Sequence, residues 1–236
     1  MKQRIWELDA LRGLCVLGMI LVHLIYDLTE IYGILTWQYP ACFRFIKDYG
    51  GILFILISGI CTAFSRGSFR RGLIVLVCDG ICTLVTFVLE KLGFLGYGSV
   101  IWFGALHCLG GCMLLWQLLR HLPTWALPVL GLVFVPIGHW LAAVHPVNHR
   151  WLVILGATPW WFQSPDYFPL LPFLGYFLLG AFLGRTLYRK GQSLLPRVNA
   201  NTALLRFFRF CGRQSLLIYL LHQPVLMAVC TLLSLL

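Results

Sequence analysis

Four ionisable residues share one stripe of the first apolar segment of the chain: Asp9, Arg12, His23 and Asp27. An α-helix turns about 100° per residue, so Arg12 and His23 lie on the same face. His23 and Asp27 are spaced i, i+4, and their side chains can meet. An imidazole can take a proton from an attacking hydroxyl or amine near neutral pH, and a carboxylate can orient the ring. The stripe therefore predicts acid–base chemistry by His23, with Asp27 as its partner.

Each part of the stripe also has a structural explanation. Asp9 and Arg12 are spaced i, i+3 and can form an ion pair that fixes the start of the helix. His23 can form a hydrogen bond between helices. However, a charge within a bilayer costs roughly 2.5–3.5 kcal/mol on insertion scales. Four ionisable groups on one face therefore favour a cavity lined by protein, with Asp9 as one of its residues.

A basic stretch, SRGSFRRG at residues 65–72, carries Arg66, Arg70 and Arg71 between two apolar segments. Guanidinium groups bind phosphate through paired hydrogen bonds, so this stretch is a candidate site for a ligand that carries phosphate. Arg12 is a weaker candidate for the same role. The alternative is an ordinary basic loop on the cytoplasmic side of a membrane.

Four further residues are candidates for substrate binding or for lining a cavity: Asp79, His107, Asp166 and His222. Asp79 and His107 lie inside apolar segments, where ionisable groups are costly and commonly functional. Asp166 opens the motif DYFPLLPF and can bind a substrate or pair with Arg150. His222 is about 13 Å into the last segment at 1.5 Å per residue. Hydrogen bonds between helices are the structural alternative for Asp79, His107 and His222.

The elements that position these residues must lie in a membrane. The chain has 236 residues, of which 60% are hydrophobic and 11% are charged. A soluble domain averages about 25% charged residues. Long apolar runs without alternation predict helices, because backbone groups in lipid must pair within their own segment. The fold class is therefore predicted as all-α, a polytopic integral membrane bundle in one domain, residues 1–236.

The apolar pattern predicts about seven membrane spans, with the first one retained in the mature protein. Thirteen Lys and Arg residues fall on one side of the predicted membrane and four on the other, which favours a cytoplasmic N-terminus. The segment 151–162 is too short to cross and is expected to be interfacial or re-entrant. The predicted spans are residues 10–31, 50–65, 72–90, 99–119, 125–143, 167–187 and 213–235.

Charge and cysteine content argue against nucleic-acid binding, a disulfide framework and a metal site. The net charge of +10 comes from residues that flank the spans, so we expect no nucleic-acid partner. Most of the nine cysteines lie inside apolar runs and are expected to be small apolar filler, without disulfides. The pairs at i, i+4 supply half of a zinc site at most, so no metal is predicted.

The opening of the chain resembles that of the transmembrane acyltransferase superfamily. The motif is R-x4-D-x2-R-G, formed by Arg4, Asp9, Arg12 and Gly13, followed by His23. Within the superfamily the chain is most similar to the heparan-α-glucosaminide N-acetyltransferase catalytic-domain family, in particular its short bacterial members. The first and last motifs also resemble the acyltransferase-three family. Further matches are LFILISG (53–59), FGALHCLG (103–110), DYFPLLPFLGYFLLGAFLG (166–184) and SLLIYLLHQPV (215–225).

The resemblance implies an acyl-CoA-dependent membrane enzyme, with acetyl-CoA on the cytoplasmic side and a sugar or glycan acceptor at or beyond the membrane. His23 is then the general base, with an acyl-histidine intermediate as the other route. The basic loop at residues 65–72 resembles the arginine motif of the acyltransferase-three family, and CoA carries three phosphate groups. A bacterial inner membrane and a possible homo-oligomer are the expected setting. The acceptor, the acyl length and the type of product stay open.

A proton-coupled transporter is the alternative function, because intramembrane Asp and His residues also form proton relays. The sequence shows no repeated halves and no paired broken helices, which transporters of that kind commonly have. An assembly subunit without chemistry is a third class, but assembly alone does not require the polar stripe.

Overall fold

A computed structural model describes residues 5–36, 38–65, 67–143, 149–189 and 191–235. These residues form helices and connecting segments, and none of them lies in a β-strand. A π-helical turn at Asp27–Ile31 continues the first helix, and Arg150–Ile154 is a short 3-10 helix. The α-helices are α1 (Trp6–Tyr26), α2 (Ala41–Thr62), α3 (Ser68–Lys91), α4 (Ala105–Leu119), α5 (Ala126–Ala143), α6 (Leu170–Leu187), α7 (Ala203–Arg213) and α8 (Ser215–Ser234).

Six helices of the described chain are long and apolar enough to cross a membrane: α1 with its π turn, α2, α3, α5, α6 and α8. The seventh predicted span corresponds to α4, an apolar helix of 15 residues. These helices confirm the prediction of a polytopic helical membrane protein. The orientation of its N-terminus stays a prediction.

The largest differences from the predicted spans are two helix starts and one helix that the sequence did not predict. Helix α2 begins at residue 41 instead of 50, because exposed polar residues in its first turns resemble a loop in the sequence. Helix α4 begins at residue 105 instead of 99. Helix α7 was not predicted, although Arg206, Arg209 and Arg213 recur at helical spacing on one face. Averaged hydropathy hides such an amphipathic helix, whose period of 3.6 residues is its only signal.

The described chain divides into two compact units. The first comprises Met1–Ile57 and Lys190–Leu236, and the second comprises Ser58–Arg189. Helix α2 passes from one to the other along the chain. Each unit holds its own group of buried polar side chains, described separately below. The single domain that the sequence predicts stays a prediction.

Three pairs of helices pack closely over facing glycines: α1 with α7, α3 with α4, and α5 with α6. A Cβ atom on Gly13 would stand 2.0 Å from the carbonyl oxygen of Phe208, and one on Gly212 would stand 1.8 Å from that of Asp9. Small residues let helix backbones approach one another in a membrane, where packing drives association. The glycine of the Asp-x2-Arg-Gly motif is therefore required by the contact between α1 and α7.

We expect Gly13→Ala to destabilise the protein by about 1–3 kcal/mol, because the new methyl group overlaps the backbone of α7. Gly80→Ala on α3 is the matched control, since no heavy atom lies within 4 Å of its Cβ position. The effect is measured as the temperature at which the detergent-purified protein loses its monodisperse peak in size-exclusion chromatography. Equal transition temperatures for the two variants would contradict the packing argument.

Candidate functional site

Two histidines from α1 and α8 meet in the first unit. The ring centroids of His23 and His222 are 4.9 Å apart, and the ring planes are inclined by 63°. Both helices are long and apolar enough to cross a membrane. The structure therefore brings together two of the imidazoles that the sequence singled out.

The hydrogen bonding of His222 assigns its tautomer. Its Nδ1 lies 2.5 Å from the carbonyl oxygen of Tyr219, one turn earlier in α8. A carbonyl oxygen only accepts hydrogen bonds, so Nδ1 carries the hydrogen and Nε2 carries a lone pair. That Nε2 is buried and has no hydrogen-bond partner in the described chain. His222 thus presents a basic nitrogen within the helix pair.

Asp27 is completely buried, and the side-chain amide of Gln223 holds it. The Gln223 Nε2 donates to both carboxylate oxygens of Asp27 at 3.1 Å. The predicted hydrogen bond between His23 and Asp27 is absent among the described residues. The π turn begins at Asp27, and its carboxylate is directed to α8 instead of to the imidazole one turn earlier. Sequence reasoning missed Gln223, whose signal is its position directly after His222.

An apolar groove of about 390 Å³ borders His222 between α1, α7 and α8. Its lining comes entirely from the first unit, and Gln214 and His222 are its only polar members. An apolar acyl group can therefore approach His222 without desolvating a charge. The remaining lining residues are Ile20, Phe210, Leu217, Ile218, Leu221, Val225 and Leu226.

The polar groups at the start of α1 form an ion-pair cluster. Asp9 lies 3.9 Å from Arg12 Nη1 and 3.4 Å from Arg213 Nε at the end of α7. Glu7 accepts a hydrogen bond from the backbone of Leu194 at 2.7 Å. The ion pair that the sequence offered for Asp9 and Arg12 is present, and Arg213 is a partner that sequence reasoning missed.

The basic loop before α3 is described in part. Arg70 and Arg71 are exposed in the first turn of that helix. Arg66, and Arg4 of the opening motif, lie outside the described residues. Exposed guanidinium groups at a helix start are accessible to a phosphate-bearing ligand.

Three predicted residues converge in the second unit, at the N-terminus of α4. The backbone N–H of Ala105 donates to Asp166 Oδ2 at 3.1 Å, and that of His107 donates to Asp79 Oδ2 at 2.6 Å. The same Asp79 oxygen contacts His107 Nδ1. Because the first N–H groups of a helix lack partners and its N-terminus is partly positive, two carboxylates stabilise this helix start.

A non-helical segment, residues 99–104, brings the start of α4 level with the middle of α3. The Ser99 N–H donates to Glu90 at 2.9 Å, while Ile101 bonds to the Thr83 and Thr86 hydroxyls at 2.7 and 3.2 Å. The chain therefore descends along α3 before α4 begins beside Asp79. Side chains of α3 replace the hydrogen bonds that a helix would have supplied, which explains why residues 99–104 are not helical.

Among the described residues, no group of three His, Cys, Asp or Glu side chains could hold a metal ion. The nine cysteines are free, and four of them are buried. Buried Cys108 lies next to the cluster at α4, where its thiol approaches the carbonyl of Pro169 at 3.7 Å.

These features define a helical membrane protein with half-buried imidazoles and buried carboxylates on its helices. The family model described as heparan-alpha-glucosaminide N-acetyltransferase, catalytic, matches residues 4–224. The chain therefore belongs to this family of membrane acetyltransferases, as the motif resemblance predicted. The matched range includes every candidate residue named above. No curated protein and no solved structure matched the chain.

The bond between Gln223 and Asp27 has a measurable consequence. We expect Gln223→Met to destabilise the protein by about 1.5–3 kcal/mol, because it removes the donors to a buried carboxylate. Gln117→Met is the matched control, since Gln117 donates to the neutral Ser68 hydroxyl at 2.9 Å and its loss costs about 0.5–1.5 kcal/mol. Thermal unfolding in detergent compares the two variants. A larger effect for Gln117→Met would show that Gln223 does not stabilise Asp27.

Proposed function

We propose that this protein transfers an acetyl group from cytoplasmic acetyl-CoA to a sugar or glycan acceptor on the other side of the membrane. The family match over residues 4–224 is the observation that carries the proposal. The two imidazoles beside an apolar groove supply chemistry of the required kind. We place the protein in a bacterial inner membrane, with a second copy of the chain as a possible partner.

In the proposed reaction, His23 is the general base. The nitrogen or oxygen of the acceptor forms a bond to the thioester carbon, the acceptor proton moves to the imidazole of His23, and the carbon–sulfur bond breaks. Coenzyme A leaves as a thiolate and takes a proton from water. His222, with its ring 4.9 Å away, fixes one side of the His23 ring and excludes water there. The acyl-histidine route stays open as an alternative.

Donor binding is proposed at the basic residues Arg12, Arg66, Arg70 and Arg71. CoA carries three phosphate groups, and guanidinium groups bind phosphate with paired hydrogen bonds. The exposure of Arg70 and Arg71 supports this assignment, because a charged ligand must reach them from water. The predicted orientation puts this loop on the cytoplasmic side, where the donor is found.

A proton-coupled transporter is the second candidate, and one observation favours it. Asp79 contacts His107 at the start of a helix that begins level with the middle of α3. Interrupted helices with ionisable groups at that depth form binding sites in transporters. The family match supports the transferase more directly, and donor binding separates the two functions.

For the donor site, we expect coenzyme A to bind the purified protein in calorimetry, and Arg70→Gln with Arg71→Gln to weaken binding at least tenfold. Each lost bond to a charged group is worth about 1.5–3 kcal/mol, and 1.4 kcal/mol is a factor of ten. Arg44→Gln is the control, because Arg44 is exposed on the side predicted to be extracytoplasmic. An absence of coenzyme A binding would favour the transporter.

For the base, we expect His23→Gln to lower acetyl transfer by about 10²–10⁴-fold, the usual contribution of a general base. Coenzyme A binding should persist, because the substitution leaves the basic loop intact. Transfer from radiolabelled acetyl-CoA to an amino sugar in proteoliposomes measures the effect. Near-wild-type transfer by this variant would remove His23 from the mechanism.

A further inference from the structure

We propose that the apolar groove bordered by α1, α7 and α8 binds one anionic phospholipid. The headgroup phosphate lies at Arg206 and Arg213 of α7, and one acyl chain lies along α8. The inference does not depend on the proposed acetyl transfer, because it concerns binding by the first unit alone. The chemistry that identifies the ligand is a net negative headgroup attached to a chain as long as one membrane leaflet is thick.

The groove follows one side of α8 over the depth of one leaflet. Its lining residues on this helix recur at spacings of three and four from Gln214 to Leu226, which places them on one face. This stretch of helix rises about 18 Å at 1.5 Å per residue. The hydrocarbon core of a bilayer is about 30 Å thick, so one leaflet is about 15 Å. The groove therefore has the length of one acyl chain that starts at the membrane surface, where α8 begins.

The open side of the groove is a row of apolar side chains. Leu217, Leu221 and Val225 are spaced four residues apart on α8, and all three are exposed. The buried Leu226 and the half-buried His222 complete the lining on this helix. A concave apolar surface of this kind accepts a flexible hydrocarbon chain without desolvating a charge.

Helix α7 has three different faces at the 100° per residue of an α-helix. Gly212 packs against the backbone of α1. A second face carries exposed apolar side chains, and a third carries arginines. The exposed apolar residues are Leu204, Phe207 and Phe210, and the arginines are Arg206, Arg209 and Arg213. A helix with an exposed apolar face and a basic face lies in the membrane interface, with its charges at the headgroups.

Phe210 connects the basic face to the groove. It lines the groove, and Arg206 and Arg213 lie one turn before it and one turn after it on α7. Arg213 directly precedes Gln214, the first lining residue next to α8. The segment 190–213, which leads into this end of the groove, carries five Lys and Arg residues and no Asp or Glu. Both guanidinium groups are therefore at the end of the groove that reaches the membrane surface.

Positive charge is in excess at this end of the groove. Asp9 contacts both Arg12 and Arg213, so one carboxylate serves two guanidinium groups. The other carboxylate in the first turn of α1, Glu7, is buried. Arg206 is exposed, and it has no hydrogen-bond or ion-pair partner among the described residues. A net positive site at the membrane surface favours lipids whose headgroups are net negative.

The headgroup is tested by lipid binding to the detergent-purified full chain in native mass spectrometry. We expect palmitoyl-oleoyl phosphatidylglycerol to bind at least fivefold more tightly than phosphatidylcholine with the same chains. Arg206→Gln should lower the affinity for phosphatidylglycerol about fivefold and leave that for phosphatidylcholine unchanged. Fivefold corresponds to about 1 kcal/mol, the contribution of one basic residue near a membrane surface. Arg44→Gln, at an exposed arginine of α2, is the matched control and should change neither affinity.

The acyl chain is tested by filling the groove. We expect Leu221→Trp to lose most of the binding of both lipids, because the indole occupies the space along α8. Leu232→Trp is the matched control, since Leu232 is exposed on the same helix but does not line the groove. Size-exclusion chromatography of the same samples gives their oligomeric state.

Each outcome supports or overturns the proposal. Equal wild-type affinities for the two lipids, or equal effects of Arg206→Gln and Arg44→Gln, overturn the headgroup site. Unchanged lipid binding by Leu221→Trp overturns the position of the chain. A dimer that Leu221→Trp converts to a monomer, with unchanged lipid affinity, shows that a second copy of the chain occupies the groove instead. These results leave the proposed acetyl transfer intact, because coenzyme A binding and transfer test it separately.

Discussion

Carboxylates held away from water are the main physical constraint on this protein. Each needs a hydrogen-bond donor, and each finds it on a segment distant in the sequence. Asp27 on α1 is held by Gln223 on α8, and Asp79 on α3 is held by the start of α4. Asp9 on α1 is held by Arg213 at the end of α7. Because an unpaired carboxylate in a low-dielectric environment is strongly unfavourable, these contacts fix which helices are neighbours.

The buried carboxylates have different partners in the two units. In the first unit the carboxylate of Asp27 accepts hydrogen bonds from an amide, His23 and His222 contact each other, and His222 borders an apolar groove. In the second unit the carboxylate contacts the imidazole of His107 itself. Among the described residues, neither of the two imidazoles of the first unit is hydrogen-bonded to a carboxylate. The second unit instead places an imidazole against a carboxylate at a helix N-terminus.

Close helix packing is what allows these polar contacts to form. Glycines in three helix pairs let the backbones approach so closely that an added Cβ would overlap the facing helix. At this separation, short side chains such as Asp can reach the neighbouring helix. The start of α4 shows the principle most directly. Gly104 has no Cβ, and two carboxylates therefore approach the helix terminus from different segments.

The sequence by itself determined that the chain lies in a membrane, that it is helical, and which residue types form the candidate site. Low charge and long apolar runs require a membrane bundle, since backbone groups in lipid must pair within helices. Helical periodicity placed Asp9, Arg12 and His23 on one face of α1. The free-energy cost of ionisable groups in a membrane singled out Asp79 and His107. The motifs around these residues also led to the family that the comparison confirmed.

Only the tertiary structure decided which of these residues meet. Spacing of i, i+4 suggested that Asp27 orients His23, but the carboxylate turns to Gln223 at the π turn. Apolar composition extended the predicted fourth span to residue 99, whereas residues 99–104 are not helical and are hydrogen-bonded to side chains of α3. Helical periodicity reports neighbours within one helix. Contacts between Asp79, His107 and Asp166 depend on how separate segments pack, and a single sequence does not encode that packing in any local pattern.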